Sequence, residues 1–65
     1  GNAPAVLNAA NEIAVARFLA DEIRFEQLPY VVEHALGKVG HEKTPDLQGL
    51  IASDLEARKL SKEFK

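Results

Sequence analysis

The sequence contains no cysteine, no methionine and no tryptophan among its 65 residues. Without cysteine the chain has no disulfide, no thiolate nucleophile and no cysteine-ligated zinc, so the cross-links that usually stabilise very small proteins are missing. A chain of this length buries only about 60% of the surface that its unfolded form exposes. We therefore expect either a tightly packed helical bundle or a piece that packs against something larger.

The sequence also lacks an excess of positive charge and a long apolar segment. Eight basic residues stand against ten acidic ones, which gives no positive field for nucleic acid or anionic lipid. The longest unbroken apolar stretch, residues 13–16, is far shorter than the roughly 20 residues of a membrane span. We expect no nucleic-acid partner, no membrane span and a soluble, intracellular protein. Because methionine is absent, we expect the numbering to start after a processed initiator or inside a longer chain.

The first half of the chain contains two helix patterns that are delimited by proline and glycine. With Asn2 as N-cap and a proline in its first turn, a helix is predicted over about 4–21. A second helix, over 26–36, has a proline near its start and Gly37 as the residue that follows its end. These positions suit proline and glycine because neither residue then interrupts a helix.

The second half contains two further helix starts. Thr44 followed by proline predicts a helix over 45–51, and Ser53 with a glutamate three residues later has the spacing of a capping box and predicts another over 53–64. Either one bent helix or these two abutting helices cover the segment, and we favour two. No extended strand pattern or internal repeat is present. The predicted fold class is all-α: a small bundle of three to four helices, with residues 1–65 as one domain that is part of a larger helical domain.

The apolar residues predict how these helices pack. Single apolar stripes are formed by Leu28, Val31, Val32, Ala35 and Leu36 in the second helix and by Leu47, Leu50, Ile51 and Leu55 in the last segment. The first helix differs, because Asn8, Asn11 and Glu12 are its only polar residues between positions 5 and 16. A helix that is apolar around most of its circumference belongs at the centre of a bundle. Two short partner helices do not cover it, so we expect something else to pack there.

The residue types that carry chemistry do not form a recognisable site. His34 and His41 are seven residues apart across a predicted helix end, which is not a metal-ligand spacing. Neither Ser53 nor Ser61 has the strand–turn–helix context of a nucleophile elbow. No glycine-rich phosphate loop is present. We therefore assign no catalytic, cofactor-binding or metal-binding residue in this chain.

The segment that contains Asn8, Asn11 and Glu12 carries information beyond packing. Asparagine in a helix interior lowers helix stability by about 0.5 kcal/mol relative to alanine, so the presence of two asparagines requires an explanation. One interpretation is that the three residues form the exposed stripe of the helix. Another is that they bond to the backbone of a partner domain, since amides both donate and accept. A catalytic role is the third.

Here the sequence resembles a known family. Residues 4–15 read PAVLNAANEIAV, residues 18–19 read FL, and residues 23–25 read IRF. Together they resemble the carboxyl-terminal helical domain of the deoxyxylulose-phosphate reductoisomerases. Residues 53–58, which read SDLEAR, resemble the closing helix of that domain. The resemblance spans the whole chain but only the tail of the family enzyme.

The resemblance implies a parent enzyme that converts 1-deoxy-D-xylulose 5-phosphate to 2-C-methyl-D-erythritol 4-phosphate in isoprenoid biosynthesis. It implies NADPH and a divalent cation, Mg or Mn, for that parent enzyme, and a homodimer in the cytoplasm of a bacterium or, in a eukaryote, in the plastid. The family's catalytic and cofactor-binding residues lie upstream, so none is carried over to this chain. The resemblance therefore implies an inactive support domain, with the upstream catalytic domain as partner and Asn8, Asn11 and Glu12 as candidate interdomain contacts.

Two alternatives stay open from the residues alone. The chain could be a free-standing helical interaction module that docks a partner through the apolar surface of its first helix. A helix-turn-helix DNA binder is the third hypothesis, and it would need a basic helix face that the sequence does not offer.

Overall fold

The computed structural model describes all of residues 1–65. It contains three α-helices, α1 (Ala3–Leu19), α2 (Leu28–Lys38) and α3 (Leu47–Glu63), and a 3-10 helix over Phe25–Gln27 that leads into α2. No strand is present, so the predicted all-α class is confirmed, with three helices. Helix α1 packs against both α2 and α3, and these two also contact each other. No helix combines the length and the apolar character that crossing a membrane requires.

Helix α1 ends at Leu19, two residues before the predicted end, because the backbone reverses at Asp21. This residue has φ of 61°, in the left-handed region. Its N–H donates to the carbonyl of Phe18 at 3.0 Å, and the N–H of Glu22 donates to the carbonyl of Arg17 at 2.8 Å. This pair of bonds is the Schellman motif, which satisfies the last carbonyl groups of a helix.

Helix α2 extends further than predicted and passes through Gly37. The helix continues to Lys38, and the N–H of Val39 donates to the carbonyl of Ala35 at 3.0 Å. Gly37 does not adopt a positive φ. The prediction that it terminates the helix was wrong, because Val39 turns to extended backbone and its side chain packs into the core.

The two C-terminal helices predicted from the sequence form one continuous helix, α3. Its N-cap is Asp46, whose Oδ1 accepts a bond from the N–H of Gly49 at 2.7 Å. The predicted cap at Thr44 is therefore wrong by two residues. The predicted cap at Ser53 is also wrong, because Ser53 lies inside α3 with its side chain buried against other elements.

The core consists mainly of small side chains. One cluster contains Val6, Ala9, Ala10, Ala35, Val39 and Ala57, and a second contains Ala14, Ile23 and Val31. The distance between two packed helices depends on the side chains at their contact, so alanine lets these helices approach closely. The core thus comes from close helix contact rather than from large side chains.

The buried side of α3 is not the predicted one. The helix buries Ser53, Ala57 and Ser61, which lie four residues apart. The predicted stripe is mostly outside: Leu47 and Leu55 are 73% and 63% exposed. On α2, by contrast, Val31 and Ala35 of the predicted stripe are buried.

A buried amide at the start of α1 ties distant parts of the chain together. Asn2 is 1% exposed. Its Nδ2 donates to the carbonyl of Gly40 at 2.6 Å and to Oγ of Ser53 at 3.1 Å, and its Oδ1 accepts from the N–H of Glu42 at 2.9 Å. Asn2 occupies the predicted N-cap position, but its side chain does not cap α1. It instead holds the α2–α3 loop and α3 against the start of α1.

Candidate interdomain surface

Helix α1 exposes the side that faces away from its two partners. At about 100° per residue, its buried side chains fall on one arc and its exposed residues on the opposite arc. We call the centre of this exposed arc the α1 outer face and define it as Pro4, Asn8, Asn11, Glu12, Val15 and Leu19; Leu7 and Ala16 are exposed at its edges. The three polar residues predicted as interdomain contacts therefore share a surface with three apolar ones. The rest of this chain does not cover that surface.

Asn8 and Asn11 have unused hydrogen-bonding groups. Neither side chain takes part in any of the side-chain hydrogen bonds within the chain. Each amide therefore offers two N–H donors and a carbonyl acceptor to water or to a partner. The arrangement is suited to binding peptide backbone, whose donors and acceptors match those of an amide.

Glu12 is engaged within the domain. Its Oε2 accepts a bond from Nη2 of Arg58 at 2.7 Å, and Nε of the same guanidinium donates to Oδ2 of Asp54 at 2.8 Å. The hydrogen bond to Asp54 and, second in size of effect, the one to Glu12 stabilise the charged guanidinium. They therefore raise the pKa of Arg58 above its usual value. The Arg58–Glu12 ion pair joins the α1 outer face to α3, so part of the role of Glu12 is to connect the two helices.

The exposed apolar residues of α3 continue this surface. We call Leu47, Ile51 and Leu55 the α3 stripe; they lie four residues apart and thus along one side of the helix. Arg58 follows Leu55 by three residues and lies on the same side, where it reaches Glu12 of α1. The α3 stripe and the α1 outer face therefore lie on either side of the Arg58–Glu12 bridge. Contiguous exposed apolar residues with polar neighbours are typical of interaction surfaces.

A groove of about 520 Å³ lies between α1 and the start of α2. Asn11 lines it from α1. The other lining residues are Phe25, Glu26, Leu28, Pro29, Val32 and Glu33. The groove is open along one side, so its apolar floor is accessible to another chain segment.

The residues present do not form a reactive or metal-binding centre. No group of three or more His, Cys, Asp or Glu side chains is arranged to hold a metal ion. The ring of His34 lies 5.4 Å from the ring of Phe64, the hydroxyl of Ser53 accepts the bond from Asn2, and Ser61 is buried. The chemistry that this surface offers is recognition through amides and apolar side chains.

The sequence analysis singled out the amides of α1 as candidate contacts, but it did not predict three other features of the structure. The α3 stripe was predicted to lie in the core. Apolar spacing shows which side of a helix is apolar, but it does not show whether the same chain buries that side. The signal that could have identified the buried side is the small-residue spacing of Ser53, Ala57 and Ser61. The long-range role of Asn2 and the groove beside Asn11 gave no local signal, since both depend on how the helices pack.

A bundle of three helices, with one side of amides and apolar residues left uncovered, defines a small helical domain. The comparison with family models identifies which one. Residues 1–60 match the model described as the DXP reductoisomerase C-terminal domain, and the chain belongs to that family. The resemblance stated from the sequence is therefore confirmed.

Individual relatives agree with this assignment. The chain is 46% identical over 64 residues to a protein named 1-deoxy-D-xylulose 5-phosphate reductoisomerase from Bacteroides fragilis. It is 44% identical to a protein of that name from Nitrosomonas eutropha and 46% identical to one from Acetivibrio thermocellus. In each case 98% of this chain is covered, but it spans only 16 to 17% of the relative's length. No solved structure gives a significant match.

Proposed function

We propose that residues 1–65 form the C-terminal support domain of a larger enzyme that acts as a 1-deoxy-D-xylulose 5-phosphate reductoisomerase. The observation that carries the proposal is the match of the whole chain to one end domain of much longer proteins of that name. The uncovered side of α1 and α3 supports it, because a domain that packs against another leaves such a side exposed when it is considered alone. An uncovered side also suits a free-standing interaction module, but the matches to much longer proteins of one name favour the support domain.

In this proposal the reaction takes place outside residues 1–65. The family resemblance implies NADPH and Mg or Mn, and the residues of this chain do not fit a metal, since no cluster of ligands is present. We therefore assign the binding of both groups to the upstream catalytic domain of the same polypeptide. By the same resemblance, the complete enzyme is a homodimer in the cytoplasm, and this domain is inactive by itself.

We assign the docking contact to Asn8 and Asn11, with Glu12 holding the neighbouring α3 in place. Both amides are exposed and unpaired within the domain, although alanine at either position would make a more stable helix. Two unpaired amides at a helix interior are explained if they bond to the backbone of the catalytic domain. The apolar neighbours Val15 and Leu19 on the α1 outer face would then exclude water from those bonds.

Whether replacing the two asparagines raises or lowers the stability of the full-length enzyme tests this contact. Replacing Asn8 and Asn11 together by alanine raises helix propensity by about 1 kcal/mol in total, so the variant gains stability if nothing touches the amides. If they bond to the catalytic domain, the full-length enzyme instead loses stability and NADPH-dependent turnover. The control is Glu56→Ala with Glu63→Ala, which alters two exposed residues outside the α1 outer face and the α3 stripe.

Urea unfolding and turnover of the three full-length proteins give the result. We expect a lower unfolding midpoint and slower turnover only in the double asparagine variant. A midpoint at or above that of the parent enzyme, with unchanged turnover, would contradict the assignment of Asn8 and Asn11 as docking residues.

A further inference from the structure

The groove between α1 and α2 has one fixed aromatic wall. The side chain of Phe25 is 65% exposed. Its ring nevertheless lies edge-on to that of Phe18, with centroids 5.8 Å apart and an interplanar angle of 67°. Such pairs hold an aromatic ring in place beyond simple burial. Together with Leu28 and Val32, Phe25 therefore offers a preformed apolar surface rather than a flexible side chain in water.

The rim of the groove carries negative charge only. Glu26 and Glu33 line it, and neither forms a salt bridge within the chain. No lysine, arginine or histidine is among the lining residues. Two unpaired carboxylates beside an apolar floor favour an occupant that carries a positive charge next to apolar side chains, since complementary charges select partners.

We propose that this groove binds an apolar segment bearing a lysine or arginine, supplied by the rest of the same enzyme chain. The inference rests on the proposed function and specifies the chemistry of its docking partner. The chain spans only 16% of the relatives' length, so most of such an enzyme lies outside residues 1–65. A segment of the same polypeptide is present at high effective concentration, which favours it over a separate protein. Asn11, on the groove wall, bonds the backbone of that segment.

Cysteine labelling in the full-length enzyme tests the proposal, because residues 1–65 contain no cysteine of their own. In a background without other reactive cysteines, one variant carries Pro29→Cys in the groove and another carries Tyr30→Cys, at an exposed position of α2 outside it. We expect the thiol at position 29 to react about tenfold more slowly with a maleimide, because a covered site reacts only when it opens.

Charge reversal tests the nature of the occupant. Glu26→Lys with Glu33→Lys should raise the labelling rate at position 29 towards that at position 30. The matched control, Glu56→Lys with Glu63→Lys, makes the same change in net charge on α3 and should leave the rate unchanged. Equal effects of the two pairs, or equal labelling at positions 29 and 30 without them, would overturn the proposal.

Two further labelling measurements show which of the proposals has failed. A thiol placed by Val15→Cys reports the α1 outer face and leaves both docking amides in place. If this thiol is protected while position 29 is open, only the groove proposal fails. If both positions label freely, the docking proposal itself fails. Protection at position 29 that disappears on dilution would identify a second copy of the enzyme as the occupant and overturn the assignment to the same chain.

Discussion

Replacing Asn2 by alanine should destabilise this domain more than any change at an exposed asparagine. The side chain is buried and makes three hydrogen bonds, to Gly40, Ser53 and Glu42. Each bond contributes about 1 kcal/mol net, and removing the amide leaves its partners unsatisfied, so the loss is about 3 kcal/mol. Against a total stability of about 5 kcal/mol, the low end of the range for native proteins, this is more than half.

Urea unfolding of the isolated chain measures this loss. With a slope of about 1 kcal/mol per molar urea, typical of the smallest domains, the midpoint falls by about 3 M while the slope stays constant. The control is Asn8→Ala, which removes an exposed amide that has no partner in the domain and should raise stability by about 0.5 kcal/mol. If the two variants shifted the midpoint equally, the description of Asn2 as the polar link between α1, the α2–α3 loop and α3 would be refuted.

Four further substitutions have outcomes that follow from the structure. Asp21→Gly should stabilise the domain by about 0.5 to 1 kcal/mol in thermal unfolding, because glycine adopts the left-handed backbone without steric cost. Ser61→Ala should be neutral or stabilising by up to about 1 kcal/mol, since its buried Oγ has no hydrogen-bond partner. Ser53→Ala should cost about 1 kcal/mol by the same assay, because it removes the bond from Asn2. Leu55→Lys should lower the unfolding midpoint of the full-length enzyme but not that of the isolated chain.

Each of these expectations has an opposite result that would contradict it. A destabilised Asp21→Gly variant would mean that the aspartate side chain contributes a contact that the backbone argument omits. Equal costs for the two serine variants would contradict the difference in their hydrogen bonding. An unchanged full-length enzyme with Leu55→Lys would show that the α3 stripe remains in water.

The helices themselves could be predicted from the sequence, because their determinants are local. Pro4 and Pro29 lie in first turns, and the apolar spacing of α2 identified Val31 and Ala35 as buried. The poor helix propensity of the α1 amides also made them a candidate contact, and that role stays a prediction. These features require only the neighbouring residues of the chain.

The remaining features depend on contacts that local sequence does not encode. Ser53 has the spacing of a helix cap but serves as an acceptor for Asn2, 51 residues away. The α3 stripe has the pattern of a core but faces outward, because Ala57 and its small neighbours allow α1 to approach the other side. Packing decides which side of an amphipathic helix the chain itself covers, and here it leaves the apolar residues of the α3 stripe exposed.

The most direct test of the central proposal is the turnover of 1-deoxy-D-xylulose 5-phosphate by the full-length enzyme with and without residues 1–65, followed as NADPH consumption. The account predicts turnover by the full-length enzyme, none by residues 1–65 alone and a large loss on their deletion, with partial recovery when the deleted domain is co-expressed as a separate chain. Full turnover by the enzyme that lacks residues 1–65, or no turnover by the complete enzyme, would contradict the account.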